Sequence, residues 1–211
     1  MAAVEQPVAE SVLMGRAHGF YERGISMLAD ELGAIVGVLN EAGVAYELIG
    51  GVAVNAHILE RHRSRSFVTR DIDLMIGRED LERVVEAGRR AGYEGRKIMG
   101  GYMLIREGQD PAEAVHLLFS GERSKSTHGL PHPPVQPELR NVFGLAVPVA
   151  PVADLVRMKL NSFRPKDLVH LEILEETGLI TAAVEAGLPA ELRVRLAMAR
   201  EQFAEGAADV E

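Results

Sequence analysis

The chain has no cysteine and no tryptophan, and aromatic residues make up only 5% of its 211 residues. Without cysteine, disulfides and thiolate-bound zinc are excluded. With so few rings, aliphatic side chains must fill the core. Hydrophobic residues at 47% suffice for that, a composition of globular rather than disordered chains. No apolar run approaches the ~20 residues that a membrane-spanning helix needs, so no membrane partner is expected. The first ten residues lack the basic start and apolar run of a secretory signal, and a cytoplasmic location is expected. Positive charge is also scarce: 23 Lys and Arg stand against 31 Asp and Glu, a net charge of −8. General affinity for nucleic acid comes mainly from Lys and Arg on phosphates. Any nucleic-acid contact must therefore rest on a local basic island.

What is present is a mixed pattern of short apolar runs and amphipathic stretches. Residues 1–20 have no clear period and read as a flexible segment or a helix that needs a partner. Over 21–42, Ile25, Leu28, Leu32, Ile35, Val36 and Leu39 recur at three and four, the spacing of an amphipathic helix. Gly43 ends it. Residues 46–49 read as a short buried strand, Gly50-Gly51 as a turn, and 52–60 as a helix. A basic loop, 61–66, leads to a second strand over 71–76. A helix over 78–91 stops at Gly92. Strands near 95–99 and 102–106 form a hairpin at Gly100-Gly101, and 114–119 is another apolar strand.

Residues 121–140 hold four prolines and no period, so a long functional or mobile loop is expected there. A strand over 145–149 follows. Pro151 and Pro165 each mark a helix start, and a last helical stretch runs from 181 to about 205 with a break at Gly187-Leu188-Pro189. The order predicts an α/β (α+β) protein with a small mixed sheet flanked by helices. Its core spans 21–150, a helical part spans 151–205, and 206–211 is a tail.

The chemistry gathers in two places. Asp71 and Asp73 are two apart on a strand and project from one face. Side by side, two carboxylates repel unless something positive lies between them. Mg²⁺ (or Mn²⁺) does this, taking one or two carboxylates and completing its shell with water and phosphates. Gly50 and Gly51 let a phosphate approach the backbone, at a helix start that offers free N–H groups. Together they suit attack on the α-phosphate of a nucleoside triphosphate (NTP). The plainer alternative is that Asp71 and Asp73 pair with Arg70 and Arg78 at the surface. Arg61, Arg63, Arg65 and Arg70, with His57 and His62, form the basic island. It is either a contact surface for triphosphate or RNA, with Arg70 nearest the aspartates, or a solvated loop.

These residues resemble the nucleotidyltransferase superfamily, of polymerase-β-like fold. Its Gly-Gly or Gly-Ser turn and Asp-x-Asp strand correspond to Gly50-Gly51 and Asp71-Ile72-Asp73. A second stretch, residues 154–160 followed by Phe163-Arg164-Pro165-Lys166-Asp167-Leu168, is similar to a segment of bacterial abortive-infection nucleotidyltransferase toxins. The resemblance covers about 45–174. It implies an NTP substrate, Mg²⁺, and transfer of a nucleotide to an RNA (tRNA among the candidates) or protein hydroxyl, with an antitoxin partner in the toxin setting.

By the same resemblance Gly50 and Gly51 meet the phosphates, Asp71 and Asp73 the metal, Lys159 the triphosphate, and Asp167 the acceptor or the fold. Read as residues alone, Lys159 could equally snorkel from its helix, and Asp167 could equally favour a helix start. Three positions depart from the family pattern. His116 stands where many members have a third acid, and is either a metal ligand or base or an ordinary structural histidine. His170 stands where relatives often have a second Asp, and Gly51 where the common form has Ser. The second functional reading is therefore a non-catalytic nucleotide-binding or regulatory module.

Overall fold

Apolar runs become the centre of one sheet. The computed structural model describes residues 8–62, 65–124 and 129–208. Strands β1 (Tyr46–Ile49) and β2 (Ile72–Ile76) are antiparallel neighbours. β3 (Tyr93–Ile98) and β4 (Gly101–Arg106) form the expected hairpin. β5 (Val115–Phe119) runs parallel to β2, and β7 (Leu145–Val149) runs parallel to β1. β6 (Glu138–Val142) closes the far edge. The sheet order is β3-β4-β5-β2-β1-β7-β6, a mixed sheet as expected.

The helices flank it. α1 (Val8–Ala42) packs on α3 (Leu81–Arg90), while α2 (Gly50–Arg61) packs against β2 and two C-terminal helices, α4 (Val152–Ser162) and α5 (Pro165–Glu176). α6 (Ala182–Gly187) and α7 (Ala190–Ala208) complete the helical part, separated at Leu188-Pro189 as expected. Thr181 caps α6 by accepting from the Val184 N–H at 3.3 Å. No helix among the described residues is long and apolar enough to cross a membrane.

Two boundaries differ from expectation. α1 starts at Val8, so residues 8–20 are helical; residues 1–7 lie outside the described ones, as do 209–211 of the expected tail. The expected loop 121–140 ends in strand β6, which pairs with β7 through the turn at Phe143-Gly144. β6 is an edge strand with four of its five residues at least partly exposed. It therefore carries no apolar alternation from which it could be read.

Strand alternation sets up the site. Ile72, Leu74 and Ile76 of β2, and Val115, Leu117 and Phe119 of β5, are buried on one face. Asp73, His116 and Leu118 sit between them and stay partly open. The register aligns Ile49 with Asp73, Asp73 with His116, and His116 with Met103, a row across four adjacent strands.

Candidate active site

The row opens into a cavity of about 700 Å³, lined by the end of β1, the loop before β2, the β3–β4 turn, β5, Ser124, Leu130, His132 and helices α4 and α5. Gly50, Gly51, Arg70, Asp71, Asp73, His116, Lys159 and Asp167 all line it. One concavity thus gathers the residues expected to act from four separate stretches of sequence.

Gly50 takes φ +71°, and a Cβ there would stand 2.0 Å from Asp73 Oδ2. Only glycine tolerates both the left-handed backbone and that approach. The Asp73 carboxylate therefore abuts the first residue of α2. Ile49 precedes that helix, and no side chain caps it. The uncapped N–H groups and the helix dipole favour an anion at that end.

Asp71 stands just before β2, with its nearest cation at Lys166 Nζ, 3.7 Å away. Asp73 Oδ1 lies 3.5 Å from His116 Nδ1. That contact raises the His116 pKa above its ordinary value, against the opposing effect of burial. Neither aspartate pairs with Arg70 or Arg78. Arg78 instead binds Glu122 at 2.6 Å and lies over the Phe119 ring. The alternative of ordinary surface pairing with these arginines is set aside. The Arg164 guanidinium also feels both Asp73 and Asp71, so the carboxylates face a cationic wall from α5 and its lead-in.

No group of three or more His, Asp or Glu side chains among the described residues is arranged to hold a metal alone. A two-carboxylate pair beside an anion cradle still fits Mg²⁺, which takes much of its shell from water and substrate phosphates.

Lys159 and Asp167 turn inward. Asp167 is fully buried and accepts from Lys159 Nζ at 3.0 Å, Ser162 Oγ at 2.5 Å, and the Arg164 backbone N–H and Nε at 3.2 and 2.8 Å. Burial would push its pKa up, but these donors prevail and hold it below the usual carboxylate range. Burial pushes the Lys159 pKa down, with Asp167 only partly opposing it. In this geometry Lys159 is engaged by Asp167 rather than extended toward a triphosphate. Asp167, expected to assist an acceptor or the fold, joins α4 to α5.

The histidines separate by environment. His170 is buried, stacks on Phe67 with centroids 4.0 Å apart, and has a pKa pushed down to about 4 by burial and Lys159. It is neutral at pH 7 and cannot replace a carboxylate. His57 is buried in α2, where its Nε2 lies 2.8 Å from the Ala150 carbonyl. It is not part of the surface basic island. Of that island, Arg65 pairs with Glu176, Arg61 and His62 are exposed, and Arg63 lies outside the described residues. Arg70 is exposed and reaches the cavity.

Other residues of the site carried no sequence signal. Asn55 of α2 clasps the loop before β2, donating to the Phe67 carbonyl at 2.8 Å and accepting from its N–H at 3.2 Å. Asn161 of α4 clasps Leu130 in the same way, at 2.8 and 2.9 Å. Both are polar residues on helices that would read as solvent-facing. Thr69 could have been noticed by its position directly before Arg70 and the acidic strand.

No protein-family model matches the sequence, and no curated protein does. Solved structures match the fold. The complex of ANT(2")-Ia with adenylyl-2"-tobramycin is 14% identical, with 84% of this chain and 99% of that one covered and a TM-score of 0.54. An antigenic nucleotidyltransferase-like protein from Paracoccidioides brasiliensis is also 14% identical, covering 84% and 89%, with a TM-score of 0.51. The Megavirus polyadenylate synthase is 10% identical; 86% of this chain matches 40% of that one, with a TM-score of 0.51. The chain thus has the nucleotidyltransferase fold.

Proposed function

We propose that the chain is a nucleotidyltransferase. It binds an NTP with Mg²⁺ or Mn²⁺ and transfers the nucleoside monophosphate to an acceptor hydroxyl of RNA or protein. The observation that carries this reading is the approach of Asp73 to Gly50, which sets a carboxylate against an uncapped helix start. Phosphates at that helix start lie beside Asp71 and Asp73. A divalent cation held by the two carboxylates would neutralise phosphate charge and orient the α-phosphate. Arg70 and Lys166 add positive charge at the same wall.

The row across the strands gives the reaction a direction. The cradle is at β1, the carboxylates at β2, and His116 at β5. In-line displacement then brings the acceptor from the β5 side, past Ile98, Met99 and Leu118. The acceptor oxygen bonds to the α-phosphorus, the bond to the β-phosphate bridge breaks, and pyrophosphate leaves along the α2 N-terminus. His116, beside Asp73, is placed to take the hydroxyl proton.

The test is labelling. Purified protein with radiolabelled NTPs should label an acceptor in bulk RNA or cell lysate, and Asp71→Ala with Asp73→Ala should abolish it. Labelling that survives both changes overturns the assignment. ANT(2")-Ia is found with adenylyl-2"-tobramycin, so small-molecule hydroxyls belong in the acceptor panel. A toxin role, restrained by an antitoxin partner, is the setting suggested by the sequence resemblance. A neighbouring gene for such a partner would support it.

His116 in place of a third carboxylate favours a second reading, a non-catalytic nucleotide-binding module. Calorimetry separates the two: NTP binding that needs Mg²⁺ and Asp71, without turnover, supports the module.

A further inference from the structure

We propose that Thr69 supplies a phosphate-binding hydroxyl at the start of α2, from outside that helix. The inference rests on the nucleotide reading above. A Cβ placed on Gly51 would meet Thr69 Oγ1 at 2.6 Å and Thr69 Cβ at 3.0 Å. The Thr69 side chain therefore fills the space that a side chain at position 51 would occupy. It lines the cavity and makes no hydrogen bond to another described residue. Its hydroxyl is thus available to a ligand, against a helix end that lacks a side-chain cap.

The position is built. Asn55, one turn along α2 from Gly51, holds both backbone groups of Phe67. The Phe67 ring stacks on His170 of α5. Two residues later Thr69 is delivered over Gly51, and Arg70 and Asp71 follow along the cavity wall. α2 therefore fixes the loop that brings a hydroxyl to its own first turn. Thr69 touches substrate in this proposal; Asn55, Phe67 and His170 act as positioning residues.

Calorimetry tests this with each of the four α,β-methylene NTP analogues in Mg²⁺. A hydrogen bond to a charged phosphate predicts about a tenfold weaker Kd for Thr69→Val, with Tm unchanged. Thr69→Ser should restore binding. Moving the hydroxyl, with Gly51→Ser in a Thr69→Ala background, should also recover most of the affinity. The remaining 3.0 Å approach of the two Cβ atoms needs a loop shift of a few tenths of an ångström. Equal affinity of Thr69→Val and the natural chain overturns the inference and leaves the nucleotide reading intact. Absence of binding to any analogue by the natural chain overturns both.

Discussion

Glu47 sits at the middle of the sheet with no solvent exposure. Its Oε2 accepts from the Gln136 N–H at 3.0 Å, and its Oε1 has no protein partner. Burial pushes its pKa up to about 7, with the Gln136 hydrogen bond opposing and the negative charge of Asp154 adding. The folded state thus keeps a proton that the unfolded chain releases near 4.5. Stability contributed by Glu47 is therefore intact below about pH 4.5 and falls as pH rises towards 7. A shift of this size amounts to about 3 kcal/mol. Glu47→Gln should remove most of that fall, measured as the difference in urea-unfolding free energy between pH 5 and pH 8. An equal fall in both proteins would contradict this. In sequence Glu47 is one acid inside a four-residue apolar run, and only the fold brings the Gln136 N–H and the charge of Asp154 to it.

Buried Asp167 holds the junction of α4 and α5, pairing with Lys159 inside the protein and also accepting from Ser162 and Arg164. Asp167→Asn removes the negative partner of Lys159 and leaves a buried cation, a change that costs about 3–5 kcal/mol. For a chain of this size that is a fall in Tm of roughly 10 °C. Lys159→Met with Asp167→Leu removes both charges and should cost much less. If the single and double variants unfold alike in calorimetry, the pair is not what joins the helices. The start of α5 was legible, since Pro165 and Asp167 favour a first turn. The partnership with Lys159 was not, because helix periodicity does not cross the break at Phe163-Arg164. β1, β2, β5 and β7 were legible because their apolar runs become central strands. β6 was not, because an edge strand buries too little to need such a run. The glycine cradle and Asp71 and Asp73 could be read from local spacing. Thr69 and Asn55 matter only through neighbours that folding brings together.

The chain is acidic overall, and many of its described arginines are paired with carboxylates. Arg83, Arg89, Arg90, Arg96, Arg140 and Arg200 each pair with neighbouring carboxylates. With a net charge of −8, the chain should bind bulk duplex DNA or RNA weakly at about 150 mM salt. Fluorescence anisotropy with random-sequence RNA checks this. Tight binding with a steep salt dependence would contradict this.

The interior strand β1 also sets the order in which the cavity can be assembled. Its one flank, β2, follows soon after it in the chain, but its other flank, β7, is made much later. His57 and its Ala150 partner are 93 residues apart. Synthesis proceeds from the N-terminus, so Gly50 and Asp73 leave the ribosome well before β7, α4 and α5 can enclose them. A nascent or truncated chain that ends before this region carries both glycines and both aspartates without the walls of the cavity. The cavity around Gly50 and Asp73 therefore cannot form until β7, α4 and α5 have been made.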